Sequence, residues 1–169
     1  MFKYKDKIIS PNKSWKDDQG VVHPSNWHIW DSSVKKSMGI TEIIFEEPPN
    51  SSLYVWTHDE KGKIIKTAKP LNDSGSVLGV KSILKNEVKH QQGQMLLNTD
   101  WAIIRKADKG TAIPFNIQTW RDSIRTKATA METAIDNAAN TAALDALFLT
   151  WDNSGNKSGI LFDWPQLSE

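Results

Sequence analysis

The histidine residues are the most versatile chemical groups in this sequence, and their spacing decides whether they can share a metal ion. No two of them lie four residues apart and no His-Glu-x-x-His run occurs, so no helix is predicted to present two imidazoles on one face. His28 and Asp31 could face one another on a helix, but a metal ion would need further ligands from elsewhere. We therefore predict no metal site at any of the four histidines, which are His23, His28, His58 and His90.

The carboxylates are the next candidates for chemistry, and they occur as sequence neighbours at positions 17–18, 46–47 and 59–60. Neighbouring side chains of a strand point to opposite faces, which is the wrong geometry for a general acid and base acting together. Residues 152–155, Asp-Asn-Ser-Gly, resemble the start of a calcium loop, but no acid closes it at the required position. We therefore predict that these acidic residues lie at turns and strand ends, where water solvates them, and that they form no catalytic pair.

Sequence motifs of the common catalytic sites are missing as well. The sequence has no Gly-x-Ser-x-Gly elbow, no phosphate-binding glycine loop and no dinucleotide fingerprint. It contains no cysteine, which excludes disulfides, thiolate metal sites and cysteine nucleophiles. We therefore predict that the protein is not an enzyme and that it takes no cofactor.

Tryptophan is the residue type that most clearly indicates a binding function. The chain has eight, which is many for 169 residues. The indole ring buries a large area with few rotatable bonds, so it is favoured at protein–protein hot spots, and it can also stack on sugars. Trp27, Trp30 and Trp120 fall on apolar stripes and are predicted to be buried. Trp164, beside Pro165, is predicted to make contacts outside its own helices.

Charge and hydropathy exclude two classes of partner. Lys and Arg number 21 against 20 Asp and Glu, a net charge of +1, so no long-range field steers the chain towards nucleic acid. Nowhere do about 18 apolar residues follow one another, and the first residues are charged, so neither a membrane span nor a signal peptide is predicted. We therefore expect no nucleic-acid partner and no membrane partner.

The elements that must position these residues divide into two modules. Five of the seven prolines precede or begin the stretch at 70–76, Pro-Leu-Asn-Asp-Ser-Gly-Ser, and two follow it. A composition change at such a polar stretch is typical of a linker. We therefore predict an N-terminal module over residues 1–72 and a C-terminal module over residues 76–169.

The N-terminal module is predicted to alternate short elements. The pattern indicates strands at 7–10, 41–46, 53–58 and 63–66, and a hairpin at 15–22 that turns at Gly20. Apolar residues from 27 to 38 recur at steps of three and four, which predicts one helix with Ser25 as its N-cap and Gly39 after its end. The expected architecture is a small mixed sheet with one helix against it.

The C-terminal module is predicted to be helical. Apolar residues recur at helical spacing over 80–97 and, more clearly, over 114–137, where Pro114 suits the first turn. Shorter helices are predicted over 101–107, ended by Gly110, and after Thr141 as an N-cap. The two long helices should pack as an antiparallel pair, because helices of this length depend on tertiary contacts. The predicted fold class is therefore α+β, with the sheet module followed by a helical hairpin.

Several short motifs in the second module resemble a known family by their order. They are Asn-Thr-Asp-Trp at 98–101, Ile-Arg-Lys-Ala at 104–107, Ala-Ile-Pro at 112–114, Trp-Arg-Asp-Ser-Ile-Arg at 120–125 and Phe-Asp-Trp-Pro at 162–165. Together they span roughly residues 78–165 and resemble the C-terminal segment of bacteriophage tail-fibre assembly chaperones and related small tail proteins. The stretch at 120–125 has tryptophan where the family usually has tyrosine before arginine.

The resemblance implies tail biology and a protein–protein function, and it supplies no catalytic residues. Such proteins include both assembly factors and permanent parts of the virion. We therefore expect a tail, baseplate or fibre-attachment component that bridges other virion proteins, with a transient tail-fibre assembly chaperone as the alternative. The resemblance implies a location in the virion tail, and in the host cytoplasm during assembly. Symmetric positions in such a particle would let weak contacts from many copies add.

Two alternatives come from other classes, a receptor-recognising glycan binder that uses exposed tryptophan and a small enzyme of unrecognised type. The apolar tail at 160–165 should either dock a partner or cover the chain's own helices, because leaving it in water forgoes burial energy. The residues predicted to bind a partner are Trp101, Trp120, Leu161, Phe162, Trp164 and Pro165.

Overall fold

The chain forms two compact units in a computed structural model that describes residues 1–167. The first unit comprises Met1–Ser51 and Val55–Thr67, and the second comprises Ser52–Tyr54 and the chain from Ala68 onward. Strands predominate in the first unit and helices in the second, so the predicted α+β class is confirmed. The predicted C-terminal module ran to residue 169, and its last two residues lie outside the described residues.

The first unit is built from short strands with little helix between them. The two ends of its last strand pair, at residues 54 and 68, fall in the second unit. In chain order the elements are β1 (Phe2–Tyr4), β2 (Lys7–Ile9), β3 (Trp15–Lys16), β4 (Val22–His23), a 3₁₀ helix (Ser25–Ile29), α1 (Ser32–Ser37), β5 (Ile40–Glu42), β6 (Tyr54–His58) and β7 (Ile64–Ala68).

These strands pair as small antiparallel sheets. β1 lies between β2 and β5, with Phe2 opposite Ile9 on one side and Glu42 on the other. β3 pairs with β4, with Trp15 opposite His23, and β6 pairs with β7. The first unit therefore contains antiparallel sheets, and the prediction of a mixed sheet was wrong. Most of these strands follow one another through short turns, which suit antiparallel pairing, whereas parallel pairing needs a long crossover.

Trp27 is at the centre of the first unit's core, where it is fully buried. Its indole Nε1 donates a hydrogen bond to the carbonyl oxygen of Lys13 at 2.9 Å, so the polar end of the ring is satisfied. The predicted burial of Trp27 is confirmed, whereas Trp30 is only partly buried. The other buried members of this cluster are Ile9, Trp15 and Ile40.

The single helix predicted after Ser25 is two shorter ones, so that prediction was wrong. The backbone of Trp30 is extended, with φ −61° and ψ 154°, and it separates the 3₁₀ helix from α1. The N-cap of α1 is Asp31, whose carboxylate accepts from the Ser33 backbone N–H at 2.8 Å. Ser25 caps neither helix, because it is the first residue of the 3₁₀ helix, whose N-cap is Pro24, and the N-cap of α1 is Asp31. Gly39 follows α1 with φ +74°, as its position predicted.

The second unit contains two long helices, a shorter one between them and a short fourth. The short fourth helix begins at Thr141, but its N-cap is Asn140, whose side-chain oxygen accepts from the Ala143 backbone N–H at 2.9 Å. The predicted cap, Thr141, is buried instead. The elements are α2 (Val80–Leu97), α3 (Asp100–Lys109), α4 (Phe115–Asn137), α5 (Thr141–Asp145) and the strands β8 (Thr150–Trp151) and β9 (Lys157–Ser158), which pair as a hairpin.

α4 packs along α2, which confirms the predicted helix pair. Ile124 and Met131 of α4 and Val88 of α2 are fully buried, and they lie on the apolar stripes that the sequence predicted. Ile117 is buried as well, at the start of the same stripe. The core of this unit also includes Leu53, from the segment just before β6.

The segment at 70–79 is bonded to the beginning of α2. The Asp73 carboxylate accepts from the Gly79 backbone N–H at 2.7 Å and from the Ser82 hydroxyl at 2.9 Å. These bonds, that of Gly79 above all, lower the pKa of Asp73 below its usual value. The Val80 backbone N–H donates to the Pro70 carbonyl at 2.9 Å. The stretch at 70–76, which we predicted as a linker, therefore contributes to a cap around the first turn of α2.

Gly79 makes a stringent test of this cap, because a Cβ there would lie 2.3 Å from the carbonyl carbon of Asn72. We expect Gly79→Ala to lower the free energy of unfolding by about 1–3 kcal/mol through overpacking. Gly93, inside α2, has open space where its Cβ would be. Gly93→Ala should therefore raise the stability by about 0.5–1 kcal/mol, and equal effects of the two changes in urea unfolding would contradict the cap.

The helix pair makes a second prediction about stability. Ile124→Ala should cost about 2–5 kcal/mol, because the side chain is fully buried and its removal leaves a cavity. Ile83→Ala on α2 is the matched control, since Ile83 is 51% exposed, and we expect a change within about 0.5 kcal/mol. Chemical denaturation followed by circular dichroism measures both values.

Candidate protein-binding surface around α3

The C-terminal tail, defined as residues 160–165, packs on the second unit's own core. Leu161 is fully buried, and its backbone N–H donates to the Leu147 carbonyl at 2.8 Å. Trp164 is 8% exposed, and its Nε1 donates to the side-chain oxygen of Gln91 on α2 at 2.7 Å. The structure therefore places two of the residues predicted to bind a partner inside the chain's own fold, which was the other possibility left open for the tail.

An ion-pair cluster holds the middle of the tail. The carboxylate of Asp163 lies 3.1 Å from the Lys127 ammonium and pairs with that of Lys157 as well. Hydrogen bonds from Lys157 and then Lys127 hold the pKa of Asp163 below its usual value. Phe162 is partly buried and packs edge-on against Phe148, with ring centroids 6.1 Å apart. The tail is thus fixed by charge as well as by apolar contact.

A buried arginine fixes the turn between α2 and α3. Arg121 of α4 is 6% exposed, and its Nη1 lies 2.8 Å from the Leu96 carbonyl and 2.7 Å from the Thr99 hydroxyl. The same atom lies 2.8 Å from a carboxylate oxygen of Asp100, the first residue of α3. We call these four residues the Arg121 clamp. A buried guanidinium needs such partners, because its charge has lost the water that would otherwise solvate it.

α3 itself exposes most of its apolar side chains. Ala102 is its one buried residue, whereas Trp101 is 49% exposed and Ile104 is 66% exposed. Ile103 is also partly open to solvent. We call Trp101, Ile103 and Ile104 the α3 surface. A helix with this composition is not held by burial of its own residues, so the Arg121 clamp and the connecting turns must hold it in place.

A cleft of about 410 Å³ lies beside the α3 surface and brings together three of the residues predicted to bind a partner. These are Trp101, Trp120 and Pro165. Trp120, which we predicted to be buried, is only partly buried, and its Nε1 donates to the Pro165 carbonyl at 2.9 Å. Met95 and Ile117 add apolar lining, so an apolar side chain from another protein would find a complementary surface here.

The sequence identified Trp101 as a binding residue, but it did not identify Ile103 and Ile104 or the Arg121 clamp that holds α3. In the sequence, Ile104 stands out only as part of a motif that carries the resemblance. Arg121 was noted only for its place beside Trp120 in that resemblance. A charged residue three positions before the buried Ile124 is a signal that it lies near the buried face of α4. That signal could have identified the clamp.

The described part of the chain offers little else for chemistry. Within residues 1–167 no three histidine, aspartate or glutamate side chains come close enough together to hold a metal ion. No helix in that range is long and apolar enough to cross a membrane. The α3 surface and its cleft are the candidate binding site, because three of the residues predicted to bind a partner meet there.

The Arg121 clamp makes a prediction about local stability. Arg121→Leu should lower the free energy of unfolding by about 1–3 kcal/mol, because the Thr99 hydroxyl and the Leu96 carbonyl lose a buried partner. Amide hydrogen exchange should rise first at 98–104, before the α2–α4 core opens. Arg125→Leu is the matched control, because Arg125 is an exposed partner of Asp122. Equal exchange in the two variants would contradict the clamp.

Comparisons of this chain with protein-family models, with curated proteins and with solved structures find no match.

Proposed function

We propose that this chain is a bacteriophage tail-associated protein that bridges other virion proteins and docks one of them on the α3 surface. The observation that carries the proposal is a tryptophan, Trp101, that stays half exposed beside an apolar cleft on a helix fixed by a buried arginine. Exposed aromatic residues held in place before binding are typical of protein–protein hot spots.

The α3 surface suits a protein partner better than a small ligand. The side chains of the α3 surface are already partly covered, so each would contribute only part of the roughly 1.5–3 kcal/mol that full burial of an apolar side chain supplies. Little ordering entropy would be lost in α3, because the Arg121 clamp already holds its first turn. A soluble chain that leaves such a surface open is expected to use it in an interaction.

The family resemblance supports the same assignment. The motif at 98–101 supplies Thr99 and Asp100 of the clamp, and the motif at 120–125 supplies Arg121 itself. The resemblance therefore falls on the residues that position α3 and not only on scattered apolar positions. Because of that resemblance, we expect the partner to be a phage tail or fibre protein and the chain to be present in many copies.

The test is a pair of substitutions in the phage whose genome encodes the chain. Trp101→Ala should leave the circular dichroism spectrum unchanged but reduce the number of infectious particles, because truncating a hot-spot residue weakens binding by about 30-fold or more. Trp151→Ala is the control, since Trp151 is 65% exposed and lies on β8, away from α3 in sequence. Normal assembly with Trp101→Ala would refute the proposed surface.

Mass spectrometry of purified virions separates the two forms of the proposal. A permanent component should be present in a fixed copy number per particle. A transient assembly chaperone should bind tail-fibre proteins in infected cells yet be missing from the finished virion. Absence of the gene from any phage or prophage genome would overturn both.

A further inference from the structure

The first unit contains a second cleft, of about 450 Å³, between β2 and β3. Three lysines, Lys7, Lys13 and Lys16, supply its charged lining, and the hydroxyls of Ser10 and Ser14 line it as well. No acidic side chain within residues 1–167 belongs to its lining. The cleft is therefore a concentrated cationic site on a chain whose overall charge is close to zero.

These lysines are not neutralised by neighbouring carboxylates. The described part of the chain has no ion pair to Lys7, Lys13 or Lys16. The two acids nearest in sequence to Lys16 are already engaged. Asp17 accepts from His23 at 3.0 Å, and Asp18 pairs with Lys5. The positive charge of the cleft is thus available to an anionic ligand.

The apolar lining of the cleft is open in the same region. Ile8 is 59% exposed and Val22 is 58% exposed, although both are β-branched residues in strands. Trp15 also lines the cleft, and its buried Nε1–H has no hydrogen-bond partner in the described part of the chain. A ligand that matched this lining would combine negative charge with apolar groups.

The backbone beside the cleft is an open strand edge. The sheet order is β2-β1-β5, so β2 pairs on one side with β1, and no strand within residues 1–167 pairs with its other edge. β3 likewise pairs with β4 alone. Open edges present unpaired N–H and C=O groups to which an extended chain can add.

We propose that this cleft binds an extended acidic segment of a partner protein, which adds as a strand to the free edge of β2. Alternate side chains of the segment place carboxylates near Lys7, Lys13 and Lys16, and the others lie against Ile8 and Val22. The inference concerns the first unit and does not depend on the docking function proposed for α3. The proposal specifies the chemistry of one partner, which is an acidic segment that can extend as a strand.

A peptide fits the cleft better than a nucleic acid does. A strand presents side chains on alternating sides and so matches a cleft that has both lysines and exposed β-branched residues. A single-stranded nucleic acid would need aromatic rings on which its bases can stack, and the aromatic ring lining this cleft, that of Trp15, is 8% exposed. Lysine at an edge strand can also serve to prevent unwanted pairing, in which case the cleft would bind no peptide.

The test uses the full chain and a short synthetic peptide in which glutamate and valine alternate. Titration followed by ¹⁵N NMR should shift the amide signals of residues 7–10 and 13–16. The triple variant Lys7→Glu, Lys13→Glu and Lys16→Glu should weaken binding by about tenfold or more. The matched control reverses Lys36, Lys61 and Lys63 to Glu, which changes the net charge of the same unit equally but touches no cleft residue.

Two further probes make the result decisive. Peptides N-methylated at odd or at even positions should differ in affinity, because only one set of amides can pair with the β2 edge. A lysine–valine peptide should not bind. Equal loss of affinity in the control variant, equal binding of both methylated peptides, or tighter binding of an oligonucleotide would overturn the proposal. Absence of any peptide binding would overturn it too, and would leave the α3 proposal untouched.

Discussion

The position of α3 in the second unit depends on contacts to one buried positive charge. A guanidinium removed from water is costly unless oxygen atoms accept its hydrogen bonds. The Nη1 of Arg121 finds such atoms at the end of α2, in the turn and at the start of α3, whereas its buried Nε has no hydrogen-bond partner in the described part of the chain. Because its partners belong to consecutive parts of the chain, the charge fixes the direction in which α3 leaves α2. α3 can then hold its place with Ala102 as its one buried side chain and keep Trp101 exposed.

Each unit separates the residues that support an element from those that can bind. In the first unit, Ile9 is buried and anchors β2, while Lys7 and Ile8 on the same strand remain open to solvent. In the second unit, α3 is held by the polar contacts of Arg121, whereas its exposed side chains Trp101 and Ile104 are apolar. The difference matters for specificity, because a cationic strand edge selects partners by charge and backbone pairing, whereas an apolar helix selects them by shape.

The sequence predicted the long regular elements well and the irregular ones poorly, for physical reasons. α2 and α4 carry apolar residues at helical spacing over many turns, so their bounds and their contact followed from periodicity. The break at Trp30 was missed because the apolar spacing continues across it, although Asp31 is a polar residue that can cap a second helix. The sequence left open whether Trp164 contacts a partner or the chain's own helices, because periodicity says nothing about where a non-helical segment packs.

The core of the second unit joins distant parts of the chain, because Leu53 lies more than 100 residues before Leu161 and Trp164. During translation, the helices between them can form before residue 164 has left the ribosome, but their shared core stays incomplete until then. Contacts of such long sequence separation also slow folding, since chain closure precedes most of the gain from burial. A nascent chain will therefore keep its apolar helix faces uncovered for longer than its α+β composition suggests, and it is then most exposed to aggregation and to molecular chaperones.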